Sequence, residues 1–338
     1  MTCYSSASNY DNRKSHHTES GFRNPDPNFE KHGMGSLLRW ATSRWTNEVS
    51  LNPEDYTIPS SKNDGQAIKE FKGKWSVTWV GHATTLIQID GYTILTDPIW
   101  SDRCSPVSWA GPKRYTDPGI ELDDLPKIDI VLISHNHYDH MDIPTLQELQ
   151  KRFSPRFYVG LGNQSFLESE GLQNVKEMDW WDEDIFYDES KPDPLKVIFT
   201  PTQHFSSRGI LDRDRTLWGS YLLLGSRSKI YFAGDTGYFD GFRTIAEMVG
   251  RLDLAILPIG AYEPRWFMEP VHVDPTQSVQ AFIDLKASYM LPMHYSTFVL
   301  SDEPLDQPLQ STKKAIQEKG LPKSSLLGIQ IGESFFRN

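Results

Sequence analysis

Three imidazoles and a carboxylate fall within six consecutive positions in the segment Ser134-His135-Asn136-His137-Tyr138-Asp139-His140. It directly follows the apolar run Ile128-Asp129-Ile130-Val131-Leu132-Ile133, which reads as a strand. His135 and His137 are two residues apart, so in extended backbone their side chains leave on the same side. Asp139 and His140 lie just beyond and can reach a second ion a few ångströms away. Clustering such groups without a metal would leave polar atoms unpaired and imidazolium groups repelling one another. The chemistry indicated is therefore metal binding, with room for two adjacent ions.

Three further polar residues stand at the ends of apolar runs. Val197-Ile198-Phe199-Thr200-Pro201-Thr202-Gln203 leads to His204, and Ile230-Tyr231-Phe232-Ala233-Gly234 leads to Asp235 in a Gly-flanked turn. Tyr289-Met290-Leu291-Pro292-Met293 leads to His294. Ligands carried on loops at strand ends have their separation fixed by the sheet, as a preorganised site requires.

The elements that must position these residues can be read from the hydropathy pattern. Strands are predicted at Trp75–Val80, Thr84–Ile89 and Tyr92–Thr96, with Asp90-Gly91 as a hairpin turn. Further strands are expected at Phe157–Val159, Val197–Thr200, Thr216–Leu224, Lys229–Ala233 and Leu252–Ile259. Helices are expected over Ile143–Arg152, Phe242–Val249, Pro275–Leu285 and Ser311–Lys319. Strands interspersed with helices suggest sheets covered by helices on their outer faces. Ahead of them, residues 1–30 are polar and expected to be disordered. Residues 31–73 are expected to form an extension with an amphipathic helix, and residues 74–338 the main domain. In that helix Ser36 is the expected N-cap, and Leu37, Leu38, Ala41 and Trp45 share a face that either packs on the main domain or meets a membrane.

Composition narrows the classes. The chain has 338 residues, 38% hydrophobic and 23% charged, enough for a substantial core. A formal charge of -11 argues against nucleic acid as a partner. With only Cys3 and Cys104, neither a disulfide framework nor a cysteine-based zinc site is available, so the ligands must be His and Asp. No apolar signal region and no transmembrane-length run is present, so a cytoplasmic protein, free or peripherally attached to a membrane, is expected.

The H-x-H-x-D-H segment followed by His204, Asp235 and His294 resembles the metallo-β-lactamase superfamily. The resemblance implies an α/β fold, the four-layer αβ/βα sandwich, here with an N-terminal extension. It also implies two zinc ions per chain, one on His135, His137 and His204 and the other on Asp139, His140 and His294, with Asp235 bridging. Within that superfamily, Thr78–Thr84, Leu95–Ile99, Gly111–Arg114, Met178–Trp181, Leu217–Ser220 and Pro258–Met268 resemble the N-acylphosphatidylethanolamine-hydrolysing phospholipase D family.

That resemblance implies a lipid phosphodiesterase that releases N-acylethanolamine and phosphatidic acid through a metal-bound hydroxide, with Asp139, Asp235 and His272 in catalytic roles. Val271 stands where that family has glutamine. Tyr138, Trp266, Phe267 and His272 are candidate substrate contacts, and Trp180-Trp181 are core or groove aromatics. Asp97 is expected to orient a zinc-ligating histidine, and His82 to serve either the site or a structural hydrogen bond. The expected partner is a phospholipid at a membrane surface, and a homodimer is compatible with the sequence. The alternatives are hydrolysis of a soluble phosphodiester or lactone on the same fold, or a metal- or lipid-binding protein without catalysis.

Overall fold

Alternate residues of the central strands carry apolar side chains on both faces, which requires cover on both sides of each sheet. In the computed structural model, residues 11, 13–30, 32–44, 49, 51–209 and 211–338 are described. In chain order they form the short hairpin β1 (His17–Thr18) and β2 (Gly21–Phe22), helix α1 (Met34–Ser43) and helix α2 (Gln66–Glu70). Strands β3 (Trp75–Gly81), β4 (Thr84–Ile89), β5 (Tyr92–Thr96) and β6 (Ile130–Leu132) follow. Then come α3 (Ile143–Phe153), β7 (Arg156–Gly160), α4 (Gln164–Ser169), β8 (Val175–Met178), β9 (Glu183–Phe186) and β10 (Leu195–Thr200). The second half contains β11 (Ser220–Leu224), β12 (Lys229–Phe232), α5 (Gly241–Val249), β13 (Leu252–Pro258) and α6 (Arg265–Met268). It closes with α7 (Pro275–Asp284), β14 (Ala287–Met293), α8 (Gln307–Glu318) and β15 (Ser334–Arg337).

One sheet has the order β15-β3-β4-β5-β6-β7-β8 and the other β14-β13-β12-β11-β10-β9. Val77, Trp79, Ile87, Ile94, Leu132 and Tyr158 face Val197, Phe199, Tyr221, Phe232 and Leu254 across the space between the sheets. Each fully buried aromatic there contributes on the order of 2–3 kcal/mol through apolar burial. The alternating residues Val80, Leu86, Leu95, Val131, Ile133 and Phe157 point outward beneath Leu146 and Leu149 of α3 and Leu167 of α4. Phe242, Val279, Phe282 and Ile316 of α5, α7 and α8 cover the second sheet. The result is the four-layer sandwich expected from the sequence.

The topology gathers the site. β5, β6 and β7 run parallel, as do β12, β13 and β14, and β10 is antiparallel to β11, which is antiparallel to β12. The C-terminal ends of β5, β6, β10, β12 and β14 therefore share one edge. Asp97, His135, His204, Asp235 and His294 all follow those ends.

Two expectations change. Residues 13–30 are ordered, not a disordered tail: Phe22 is buried in the main core and its N–H donates to the Asp214 carbonyl at 2.8 Å. Composition missed this because the segment gains its order from distant residues. Residues 1–10 and 12 of that expected tail lie outside the described residues. In addition, α1 begins after Gly33, without Ser36 as its cap, and its packed side is not the Leu37-Leu38-Ala41 face. Trp40 stacks on Phe267 at 5.1 Å, and its Nε1–H donates to Asp302 at 2.9 Å. Arg39 covers the Trp266 ring at 4.4 Å, while Leu38 is 65% exposed. Trp45 lies outside the described residues.

Candidate metal centre

β6 ends at Leu132, and the chain then leaves the sheet through Ser134, whose N–H and Oγ donate to Asp97 at 2.7 and 2.6 Å. His135 and His137 emerge with Nε2 of the first 2.8 Å from Nδ1 of the second. His204 brings Nε2 to 3.4 Å from that same His137 nitrogen. Three imidazole nitrogens thus converge on one point.

A second group lies alongside. Asp139 Oδ2 is 3.1 Å from His140 Nε2 and 3.3 Å from His294 Nε2. Asp235 Oδ2 is 3.3 Å from His140 Nε2, 3.1 Å from His294 Nε2 and 3.9 Å from His204 Nε2. One carboxylate oxygen therefore faces both groups, the position expected of a bridging ligand.

The backbone is bent to achieve this. His82, Asp97 and His294 have φ of 52°, 35° and 63°, left-handed values that are uncommon outside glycine, although aspartate and histidine enter this region more readily than most residues. The His294 N–H donates to the His82 carbonyl at 3.0 Å, tying two of these turns together. Gly234 has φ 59°, and a Cβ there would lie 2.5 Å from Ser134 Cβ, so glycine lets the Asp235 turn approach the histidine loop.

A ring of hydrogen bonds orients the ligands. Asp97 accepts from His140 Nδ1 at 2.6 Å, and Ser134 Oγ accepts from His135 Nδ1 at 2.8 Å while donating to Asp97. His204 Nδ1 donates to the Val271 carbonyl at 3.0 Å. In all three rings Nε2 is left facing the site. His82 Nε2 donates to Asp139 Oδ2 at 2.8 Å, which ties it to the second group.

Burial drives the pKa of His137 down to about 4 and that of His135 and His204 well below the usual imidazole range. Neutral imidazole is the metal-binding form. At His140 burial has the same tendency, yet the charges of Asp139, Asp235 and Asp97 overcome it and carry the group well above its ordinary value. His294 is likewise pushed up to about 9, burial being outweighed by the Asp235 charge and hydrogen bonds to Asp139 and Asp235. Asp139 and Asp235 are held well below the carboxylate range; burial opposes this and the neighbouring histidines prevail.

Five imidazoles and two carboxylates suit a borderline divalent metal such as zinc. Asp235 Oδ1 and His272 Nδ1 are buried with no hydrogen-bond partner, as expected where a further group belongs. The donor set therefore fits a divalent metal.

Above the centre lies a cavity of about 450 Å³. Its lining includes His272, whose Nδ1 is 3.9 Å from Asp235 Oδ2, and Phe267, which stacks on His32 at 5.0 Å. Phe29, ahead of the N-terminal extension, and Leu37 and Trp40 of α1 close one side. Two candidate substrate contacts lie elsewhere. Tyr138 turns away to line a separate cleft, its hydroxyl donating to the Arg208 carbonyl at 2.9 Å and its ring covered by the Arg208 guanidinium. Trp266 is not part of the cavity lining either, since its ring is occupied by Arg39. Sequence reasoning missed Arg213 in the wall, stacked at 4.5 Å over Phe205, because a lone arginine in a polar loop gives no signal.

The profile of the beta-lactamase superfamily domain matches residues 92–295, the span that carries all seven ligand positions. The chain belongs to the metallo-β-lactamase superfamily. Over 240 residues it is 41% identical to an uncharacterized protein of Mycobacterium tuberculosis, covering 70% of this chain and 62% of that one. It is 35% identical over 266 residues to N-acyl-phosphatidylethanolamine-hydrolyzing phospholipase D 1 of Caenorhabditis elegans, covering 76% and 74%. The mitochondrial N-acyl-phosphatidylethanolamine-hydrolyzing phospholipase D of Saccharomyces cerevisiae is 38% identical over 296 residues, covering 82% and 62%.

Two solved structures share the fold of this metallo-β-lactamase superfamily member. Igni18, a metallo hydrolase of Ignicoccus hospitalis, is 24% identical with a TM-score of 0.58, over 78% of this chain and 99% of that one. An isothiocyanate hydrolase from Delia radicum gut bacteria is 18% identical with a TM-score of 0.61, over 77% and 98%. The superfamily match and the clustered His/Asp side chains together fit a metal-binding centre, and the chain spans about three fifths of the length of the mycobacterial relative. No helix among the described residues is long and apolar enough to cross a membrane.

Proposed function

We propose that this chain is a dinuclear zinc phosphodiesterase of phospholipase D type, hydrolysing N-acylphosphatidylethanolamine to N-acylethanolamine and phosphatidic acid. The observation that carries this reading is the cavity directly over the candidate metal centre. Its wall is apolar at Phe29, Leu37, Trp40, Phe267, Met268 and Leu300, and its floor holds His137, Asp139, Asp235 and His294. A substrate with long acyl chains and a phosphodiester matches that division of chemistry. The two phospholipase D relatives support the same reading.

Two divalent ions bound at the centre supply Lewis acidity toward a phosphodiester and acidify water, so no serine or cysteine nucleophile is needed. His135, His137 and His204 would hold one ion, Asp139, His140 and His294 the other, with Asp235 placed between the two groups. His272 is pushed down to about 4 by burial, so at neutral pH it is an uncharged imidazole whose Nδ1 can hydrogen-bond an oxygen of the reacting phosphate. Arg213 offsets the diester charge from the wall. In-line attack of a water oxygen at phosphorus forms the new P–O bond of phosphatidic acid and breaks the P–O bond to the ethanolamide, whose oxygen takes up the proton given up by that water and leaves as the N-acylethanolamine.

The substrate is a bilayer lipid, so the protein must dock on a surface. Leu38 of α1 projects into solvent beside the segment that closes the cavity, and we assign the docking to it on this reading. Hydrolysis by the purified protein should be followed by mass spectrometry on vesicles of N-acylphosphatidylethanolamine, vesicles of phosphatidylcholine, a soluble aryl phosphodiester and a lactone, each with and without chelator. Release of N-acylethanolamine from the first and no turnover of phosphatidylcholine or the lactone, with hydrolysis of the lipid and of the soluble diester both abolished by chelator, is the expected result. Turnover only of the soluble diester or the lactone would overturn the lipid assignment.

A further inference from the structure

We propose that Asn24 is a positioning residue for the metal ligand His204, which makes the N-terminal hairpin a working part of the centre; this rests on the metal-centre reading above. His204 lies beyond the end of β10, where strand hydrogen bonds no longer hold the backbone. Asn24 holds it instead, its Nδ2 donating to the His204 carbonyl at 2.7 Å and its Oδ1 accepting from the His204 N–H at 2.9 Å. A planar amide bonded in both directions imitates a neighbouring strand, and Asn24 is buried while doing so. With the ring fixed separately by the Val271 carbonyl at 3.0 Å, His204 is held at backbone and side chain, and Nε2 is aimed at the ion.

The hairpin that carries Asn24 is anchored at its other end. Asp179 accepts from Lys14 Nζ at 2.6 Å, His16 Nε2 at 2.6 Å and His17 Nε2 at 2.9 Å. Between the two anchor points, Gly21 packs so tightly that a Cβ would lie 2.0 Å from the Asp214 carbonyl oxygen. The His16-His17-Asp179 group has the composition of a second metal site, but its hydrogen bonds are already used. Lys14 occupies Asp179 Oδ2, and His17 Nδ1 accepts the Asp11 N–H, which puts the ring proton on Nε2 where it donates to Asp179. The cluster is a clamp. It lies outside the superfamily profile at its histidine end, since that profile begins at residue 92, so this chain supports a shared ligand with a segment beyond the matched domain.

The test is zinc affinity of the full-length protein, measured by chelator competition, together with the absorption spectrum of the cobalt-substituted protein. Asn24→Ala should weaken one of the two ions by about 10–100-fold and leave the other within about threefold, with a changed cobalt spectrum. Asn24→Asp keeps the acceptor but sets a carboxylate oxygen against the His204 carbonyl, so it should weaken that ion at least as much as Asn24→Ala, and Asp179→Asn serves if neither variant folds. Asp179→Asn, which frees the hairpin at a distance from the ligands, should weaken the same ion. Wild-type affinity for both ions in Asn24→Ala and Asp179→Asn overturns the proposal, even if both variants melt at lower temperature. Wild-type protein that takes up no zinc overturns the metal-centre reading, and this proposal with it.

Discussion

The Nδ1–H of His140 donates to Asp97 Oδ2 at 2.6 Å, and both side chains are fully buried. Asp97 also accepts from Ser134, whose hydroxyl accepts from His135, so one carboxylate underlies a ligand from each group of the centre. This links the two ligand groups through a carboxylate that the resemblance assigns to neither.

Asp97→Asn should therefore weaken both ions, by about 10–100-fold in affinity. The amide nitrogen would face donors from Ser134 and His140 where an acceptor is needed. Metal content after dialysis against a weak chelator checks this, and two ions retained per chain would count against the role assigned to Asp97.

Zinc affinity should rise with pH. In the metal-free protein His294 is pushed up to about 9 and His140 well above the usual imidazole range, burial being outweighed in each by the neighbouring carboxylates. Both are protonated at neutral pH, and each must lose its proton to bind a metal. Every proton displaced makes the apparent affinity fall by about tenfold per pH unit below the pKa. Chelator competition at pH 6, 7 and 8 should show this slope; affinity independent of pH would show that the imidazoles bind already neutral.

The two faces of α1 should behave differently. Leu38→Asp, on the exposed side, should reduce co-sedimentation with N-acylphosphatidylethanolamine vesicles several-fold and leave hydrolysis of a soluble diester unchanged. Trp40→Asp breaks the stack on Phe267 and the bond to Asp302, so it should detach the helix and lower activity on both substrates. Unaltered vesicle binding by Leu38→Asp would exclude α1 as the docking element.

How much of this was legible in the sequence follows from which interactions are local. The ligand loop from His135 to His140 and the strand ends before His204, Asp235 and His294 are short-range patterns, and each is found at the shared sheet edge. Edge strands β8 and β9 were not anticipated, since Val-Lys-Glu-Met and Glu-Asp-Ile-Phe carry the charges of exposed strands. Asn24 could not be found either: it acts across a separation of 180 residues, and a single asparagine carries no motif. The packed side of α1 depends on Trp266, Phe267 and Asp302, and their positions are set by the tertiary structure. The apolar periodicity pointed instead to the side that faces solvent.

On the proposed reading, metal ligands at this sheet edge direct water to the phosphorus of a lipid diester. Hydrolysis of N-acylphosphatidylethanolamine vesicles in ¹⁸O-water tests it most directly, with the products resolved by mass spectrometry. One ¹⁸O in phosphatidic acid, none in N-acylethanolamine, and loss of both products with chelator or in Asp235→Asn are the predicted results. Label in the N-acylethanolamine, or unchanged turnover in Asp235→Asn without bound metal, would contradict it.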